Sequence, residues 1–178
     1  MSRLVHFLFL VICCLAQSCV NDKEVEGNSL GVGDPLPYFI VTMNNGEIIS
    51  TSSLKGKTGV IVFFNTGCPD CRKELPVIQQ LWEKFKDNEN IVIAPIAREE
   101  SEEEILQYWN DNHLTLPFSP QEDREVYSLF APSIIPRIYI FDSKGIITAA
   151  YGDTDMPNLA TLEEDIATAS RSIKKSLQ

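Results

Sequence analysis

Apolar runs and their spacing divide the chain into short strands and amphipathic helices. Residues 38–43 are mostly apolar, Asn45-Gly46 is a strong tight-turn pair, and residues 47–50 resume an extended pattern, which together predict a β-hairpin. "GVIVFFN" (59–65) is a continuous β-branched and aromatic run, as expected of a central strand buried on both faces. From about Pro69 the apolar residues Leu75, Ile78, Leu81, Trp82 and Phe85 recur near the helical period, and Pro76 inside that pattern predicts a kink. "NIVIAPIA" (90–97) predicts a second buried strand. Ser101 with Glu104 matches a capping box, so the acidic run around 99–104 reads as a solvated helix start, the helix reaching about Asn112, rather than as a metal site. An extended piece (114–118), a short helix (122–130), two strands around Asp142-Ser143-Lys144-Gly145 and a C-terminal amphipathic helix (157–176) complete the pattern. The early strand–helix–strand order implies a parallel pair and the late hairpin adds antiparallel strands. The expected class is therefore α/β: a mixed sheet with helices on both faces, preceded by an N-terminal β-hairpin.

The first residues follow a different logic. Arg3 supplies a positive start and residues 4–16 an apolar stretch too short to span a bilayer comfortably, which suits a signal peptide over residues 1–18. "LAQSC" resembles a bacterial lipobox, although Leu15 stands four residues before the cysteine instead of three. That reading makes Cys19 the lipidated first residue of the mature protein and residues 19–33 a flexible tether, with the folded domain over 34–178. Cleavage by ordinary signal peptidase and a retained N-terminal anchor are the alternatives. All three put the domain outside the cytoplasm, in a bacterial cell envelope on the lipoprotein reading, facing the periplasm or the cell surface.

The chain has 178 residues, enough for one well-cored domain, and a formal net charge of −10, which repels nucleic acid. Of five cysteines, Cys13 and Cys14 leave with the signal peptide and Cys19 is blocked by lipid, so Cys68 and Cys71 remain as thiols. A zinc site asks for about four ligands. Beyond the pair the mature chain offers only His113, read as a surface or helix C-cap residue, so no metal is expected. A permanently closed structural disulfide would gain little, because so short a loop removes little unfolded-state entropy. A dithiol–disulfide redox centre suits the position best. Cys68 ends the loop after a buried strand, at a helix N-terminus whose free amides stabilise a thiolate. Cys68 is thus the expected nucleophile and Cys71, one turn in, the resolving thiol. Pro69 and Asp70 tune the pair, and the Asp70 charge opposes thiolate formation.

"VIVFFNTGCPDCRKELPVIQQL" resembles the active-site segment of the thioredoxin superfamily, and most closely the TlpA/ResA-like extracytoplasmic thiol-disulfide oxidoreductases. "APSIIPRIYIFDSKG" is similar to that family's cis-proline loop with its following strand and hairpin. The resemblance covers about residues 31–175. It implies a thioredoxin-like fold, a cis Ile135-Pro136 bond packed against the dithiol, and a substrate chain pairing with the backbone around Ile135, Pro136 and Arg137. It also puts Glu74, three residues after Cys71, where ResA-like members carry a glutamate held to tune thiol protonation; an ordinary acidic helix residue is the other reading. The chain departs from the family pattern at several places. Asn65-Thr66-Gly67 replaces the usual aromatics before the first cysteine, Arg137 replaces a threonine, and Val62 fills the place of a buried acid. Arg137 either adds positive charge beside the site or is a solvated strand-edge residue.

The expected function is reduction of disulfides in extracytoplasmic proteins through the Cys68–Cys71 pair. Its partners would be disulfide-containing proteins, a membrane thiol electron donor and a lipid anchor, with no cofactor beyond the redox-active disulfide. A disulfide oxidase or isomerase is the nearest rival. A peroxiredoxin-like peroxidase would want threonine where Asn65 stands, and a non-enzymatic binding lipoprotein with an inert disulfide is the remaining alternative.

Overall fold

The computed structural model describes residues 27–175. The signal peptide read over 1–18 and Cys19 lie outside the described residues. No helix among the described residues is long and apolar enough to cross a membrane.

The N-terminal hairpin pairs β1 (Ile40–Thr42) with β2 (Ile48–Ser50) antiparallel. Gly46 takes φ 85 at the turn, where a Cβ would be strained, and the Asn45 side chain accepts the Glu47 N–H. Val41 and Ile49 point inward from the two strands, while Ile40 and Ile48 stay exposed on the outer face. The main sheet has the order β4-β3-β5-β6, formed by β3 (Thr58–Phe64), β4 (Ile91–Ala97), β5 (Arg137–Phe141) and β6 (Ile147–Tyr151). β3 runs parallel to β4 and antiparallel to β5, and β5 is antiparallel to β6, which gives the mixed sheet that the pattern predicted. Every residue of β3 is buried. Gly59 is required there by contact: a Cβ on it would lie 2.4 Å from the Val92 carbonyl oxygen and 2.8 Å from the Phe141 ring.

Successive β3 residues point to opposite faces, and each face meets its own cover. Phe63 packs edge-on against Tyr127 from α3 (Glu125–Ser128) and against Phe130, whereas Phe64 meets Trp109 from α2 (Glu102–Asp111). α1 (Pro69–Phe85) and α4 (Leu159–Lys175) pack on each other, and α4 also lies along β3, β5 and β6. α1 continues through Pro76 as one 17-residue helix. The expected capping box is present: Ser101 Oγ accepts the Glu104 N–H and the Glu104 carboxylate accepts the Ser101 N–H. His113 follows the C-cap of α2 with φ 56, the left-handed turn that commonly ends a helix.

One segment differs from the sequence expectation. The helix expected over 122–130 shrinks to four residues, because the chain on either side is spent on tertiary bonds: the Glu100 amide donates to the Gln121 carbonyl and the Leu30 amide to the Phe130 carbonyl. The extended piece after α2 is tied to α1 by Gln79, whose side-chain oxygen accepts the Thr115 and Leu116 amides and whose nitrogen donates to Thr115 Oγ1. Within the segment read as tether, Leu30 and Gly33 already donate to Phe130 and Ile147 of the domain.

Candidate active site

The end of β3, the first turn of α1, the end of β4 and the loop before β5 converge on Cys68 and Cys71. Cys68 is the N-cap of α1, with extended backbone (φ −84, ψ 122), and Pro69 at N1 has no amide to leave unsatisfied. The half-buried Cys68 and the fully buried Cys71 are both free thiols. The Cys71 thiol donates to the Cys68 sulfur, the largest effect bringing the Cys68 thiol down to about 6. The backbone amides of Cys71 and Asp70 act in the same direction, as free amides of a helix start do. Partial burial and the Asp70 charge oppose the shift. Asp70 therefore acts twice, its amide favouring the thiolate and its carboxylate opposing it, while Lys73 Nζ lies 2.7 Å from that carboxylate. Cys71 moves the other way. Burial pushes its thiol strongly up, the bond to Cys68 adds to that, and the buried Arg98 charge pulls in the opposite sense.

The loop before β5 closes the other side. The Ile135-Pro136 bond is cis, and the Ile135 carbonyl oxygen is 3.6 Å from Cys68 Sγ. Ile135 and Pro136 are both buried, whereas Ile134, one residue earlier, is half-buried and holds φ 73. That is an outlying conformation for a β-branched residue, held by the Tyr127 hydroxyl, which donates to the Ile134 carbonyl at 2.7 Å. Arg137 is partly buried. Its guanidinium donates to the Ser133 carbonyl and lies beside Gly152, turned toward β6, and the charge that acts on Cys68 is that of Asp70.

Glu74 lies on the same face of α1 as Cys71, one turn on. It is 4% exposed, its Oε1 has no hydrogen-bond partner, and burial pushes its carboxyl up to about 7. An uncompensated buried carboxylate is costly, so the neutral acid is favoured over an unusually wide pH range.

The sequence reading missed the contribution of the β4 end. Arg98 is fully buried, with its guanidinium 5.0 Å from the Tyr127 ring centroid. Glu100 is 6% exposed and accepts from Thr66. Both fall within or beside the acidic run that reads as a solvated helix start. The usable signal was position: they follow directly on a parallel strand, at the carboxyl edge where α/β sheets build their sites. A cleft of about 450 Å³ opens beside Gly67, lined among others by Thr66, Arg72, Glu100, Glu104 and Tyr108.

Known proteins resemble the chain in sequence and in fold. The model of the AhpC/TSA family matches residues 32–150. The thiol-disulfide oxidoreductase ResA of Bacillus subtilis is 26% identical over 138 residues, covering 78% of this chain and 76% of that protein. The thioredoxin-like protein YneN of the same organism is 28% identical over 128 residues, covering 71% and 73%. Among solved structures, the thioredoxin domain of a thiol-disulfide oxidoreductase from Bacteroides vulgatus superposes with a TM-score of 0.64 at 25% identity, covering 78% of this chain and 99% of that one. The chain belongs to the AhpC/TSA family, as a TlpA/ResA-like member of the thioredoxin superfamily.

Proposed function

We propose that this thiol-disulfide oxidoreductase works as a reductant of disulfides in extracytoplasmic proteins, with Cys68 attacking and Cys71 resolving. The observation that carries the reading is the split between the two thiols: Cys68 is half-buried and brought down to about 6, while Cys71 is buried and pushed up. In the first step the Cys68 thiolate attacks one sulfur of a substrate disulfide. The substrate S–S bond breaks, a Cys68–substrate disulfide forms, and the other substrate sulfur leaves as a thiolate that takes a proton from water. Cys71 then gives up its proton and attacks Cys68 Sγ. The second substrate thiol is released and the Cys68–Cys71 disulfide holds the two electrons' worth of oxidation. Glu74, buried one turn from Cys71, is the base that receives the Cys71 proton, a role suited to a carboxyl poised at about 7. Pro69 and Asp70 set the balance of the pair, and Ile135, Pro136 and Arg137 border the place where the substrate chain lies.

A dithiol donor must reduce the pair again, and a membrane thiol carrier suits a domain held at the envelope by lipid on Cys19. The reading of residues 1–18 as a signal peptide supports that location. The opposing Asp70 charge favours the reducing direction, because it disfavours the thiolate that stabilises a reduced oxidant. Equilibration of the purified protein with glutathione buffers tests the direction. A reduction potential near that of thioredoxin, about −270 mV, is expected, and one near about −120 mV would make the protein an oxidant. Asn65, where a peroxidase would carry threonine, keeps its side chain on the Arg98 and Glu99 carbonyls, which speaks against peroxide as substrate.

A further inference from the structure

Asn65-Thr66-Gly67 carries no side chain large enough to pin the turn before Cys68 by packing. Polar bonds hold it instead. Asn65 Nδ2 donates to the Arg98 carbonyl at 3.0 Å and the Glu99 carbonyl at 3.3 Å, and its Oδ1 accepts the Gly67 N–H at 2.8 Å. Thr66 donates twice to one carboxylate: its N–H reaches Glu100 Oε2 at 2.8 Å and its hydroxyl reaches Oε1. The Thr66 carbonyl in turn accepts from Arg72 Nε, and the Asn65 carbonyl accepts the Cys68 N–H at 3.0 Å. Glu99 takes φ 57, so it turns outward to Arg124 (Oε2 to Nε 2.7 Å) while Glu100 turns in. Glu100 thus differs from its neighbours Glu102, Glu103 and Glu104, which are exposed in the first turn of α2.

We propose that Glu100 is a positioning residue of the dithiol centre, its carboxylate seating the 65–67 turn against the end of β4 so that Cys68 stays over the free amides of α1. The inference rests on the reading of Cys68 as the attacking thiol. A buried carboxylate that accepts two hydrogen bonds from one residue fixes that residue's backbone and side chain together, which neither bond would do alone. Arg72 from α1 favours the charged carboxylate. Burial and Glu104 from α2 oppose it, and Glu99 beside it is engaged with Arg124. A protonated Glu100 has one carbonyl oxygen left to accept from Thr66 with full strength, so acid loosens the same turn that Cys68 depends on.

The test is the pH profile of Cys68 alkylation by iodoacetamide, read by mass spectrometry on the full domain, for Glu100→Ala, Glu100→Gln and Thr66→Val. Glu100→Ala is expected to move the alkylation midpoint up and to cut the rate at pH 6 about tenfold, in line with a smaller thiolate fraction. Glu100→Gln keeps the geometry but loses the charge of the acceptor, Thr66→Val keeps only the backbone bond, and both are expected to shift the midpoint in the same direction by less. A lower melting temperature with a wild-type midpoint in the folded variants would show a merely structural residue and overturn the proposal. If Glu100→Ala does not fold, the glutamine and valine variants decide in the same way. Alkylation needs no disulfide substrate. A wild-type protein that fails to reduce disulfides would therefore sink the functional reading without touching this one.

Discussion

Replacing Glu74 by glutamine should stabilise the protein at alkaline pH and leave it unchanged at acid pH. The fold moves this carboxyl from its ordinary 4.5 to about 7, through burial alone, and leaves Oε1 without a partner. In the unfolded chain the proton is lost near 4.5, in the folded protein near 7. Between those values the folded state holds the extra proton, so stability falls as pH rises through the window and the penalty is complete above it. At about 1.4 kcal/mol per pH unit, the cost of ionising Glu74 in place is on the order of 3 kcal/mol. Glutamine matches the shape of the neutral acid and cannot ionise. Urea unfolding of wild type and Glu74→Gln at pH 4 and pH 8 should therefore give nearly equal stabilities at pH 4 and a more stable variant at pH 8 by up to that amount. Other titrating groups are common to both proteins and cancel in the difference. An equal stability difference at the two pH values would refute the reasoning. On the proposed mechanism, in which Glu74 receives the Cys71 proton, the same variant should release substrate from the mixed disulfide more slowly. A residue that costs stability at neutral pH and speeds turnover is the expected signature of a functional carboxyl.

Two further perturbations probe the site and the sheet that carries it. Asp70→Asn removes the charge that opposes the Cys68 thiolate while keeping the helpful amide, so the alkylation midpoint should fall; the exposure of Asp70 and its pairing with Lys73 keep the shift small, and a midpoint that rises would contradict the account. Gly59→Ala puts a Cβ 2.4 Å from the Val92 carbonyl, which is backbone and cannot swing away, so chemical denaturation should show a loss of at least about 2 kcal/mol; a change within 0.5 kcal/mol, roughly that of a neutral surface substitution, would show that β3 and β4 can separate freely.

Local pattern was enough for the elements whose residues serve one purpose. β3 is buried throughout because each of its residues is apolar or small, and the Ser101–Glu104 capping box needs only its own four residues. Cys68 at the start of α1 was legible for the same reason, since strand end, proline and helix start are contiguous. Residues that depend on distant partners were not. Glu100 reads as one more acid before a helix, and only the approach of Thr66, 34 positions earlier, turns it inward. Arg98 is buried with its guanidinium over the ring of Tyr127, which belongs to a different element. Arg137 lies beside Gly152, just past the end of β6, and the dipeptide Pro136-Arg137 carries no trace of that approach. Glu74 was visible by spacing from Cys71, but its burial and missing partner come from the packing of α1 on the sheet.

The most direct test of the account is to react the reduced Cys71→Ser and Cys68→Ser proteins with a peptide disulfide and to locate the adduct by mass spectrometry. The account predicts a long-lived mixed disulfide on Cys68 in Cys71→Ser, and little or no adduct on the buried Cys71 in Cys68→Ser. Adduct formation at Cys71 with Cys68 left unmodified, or no adduct in either folded protein, would contradict it.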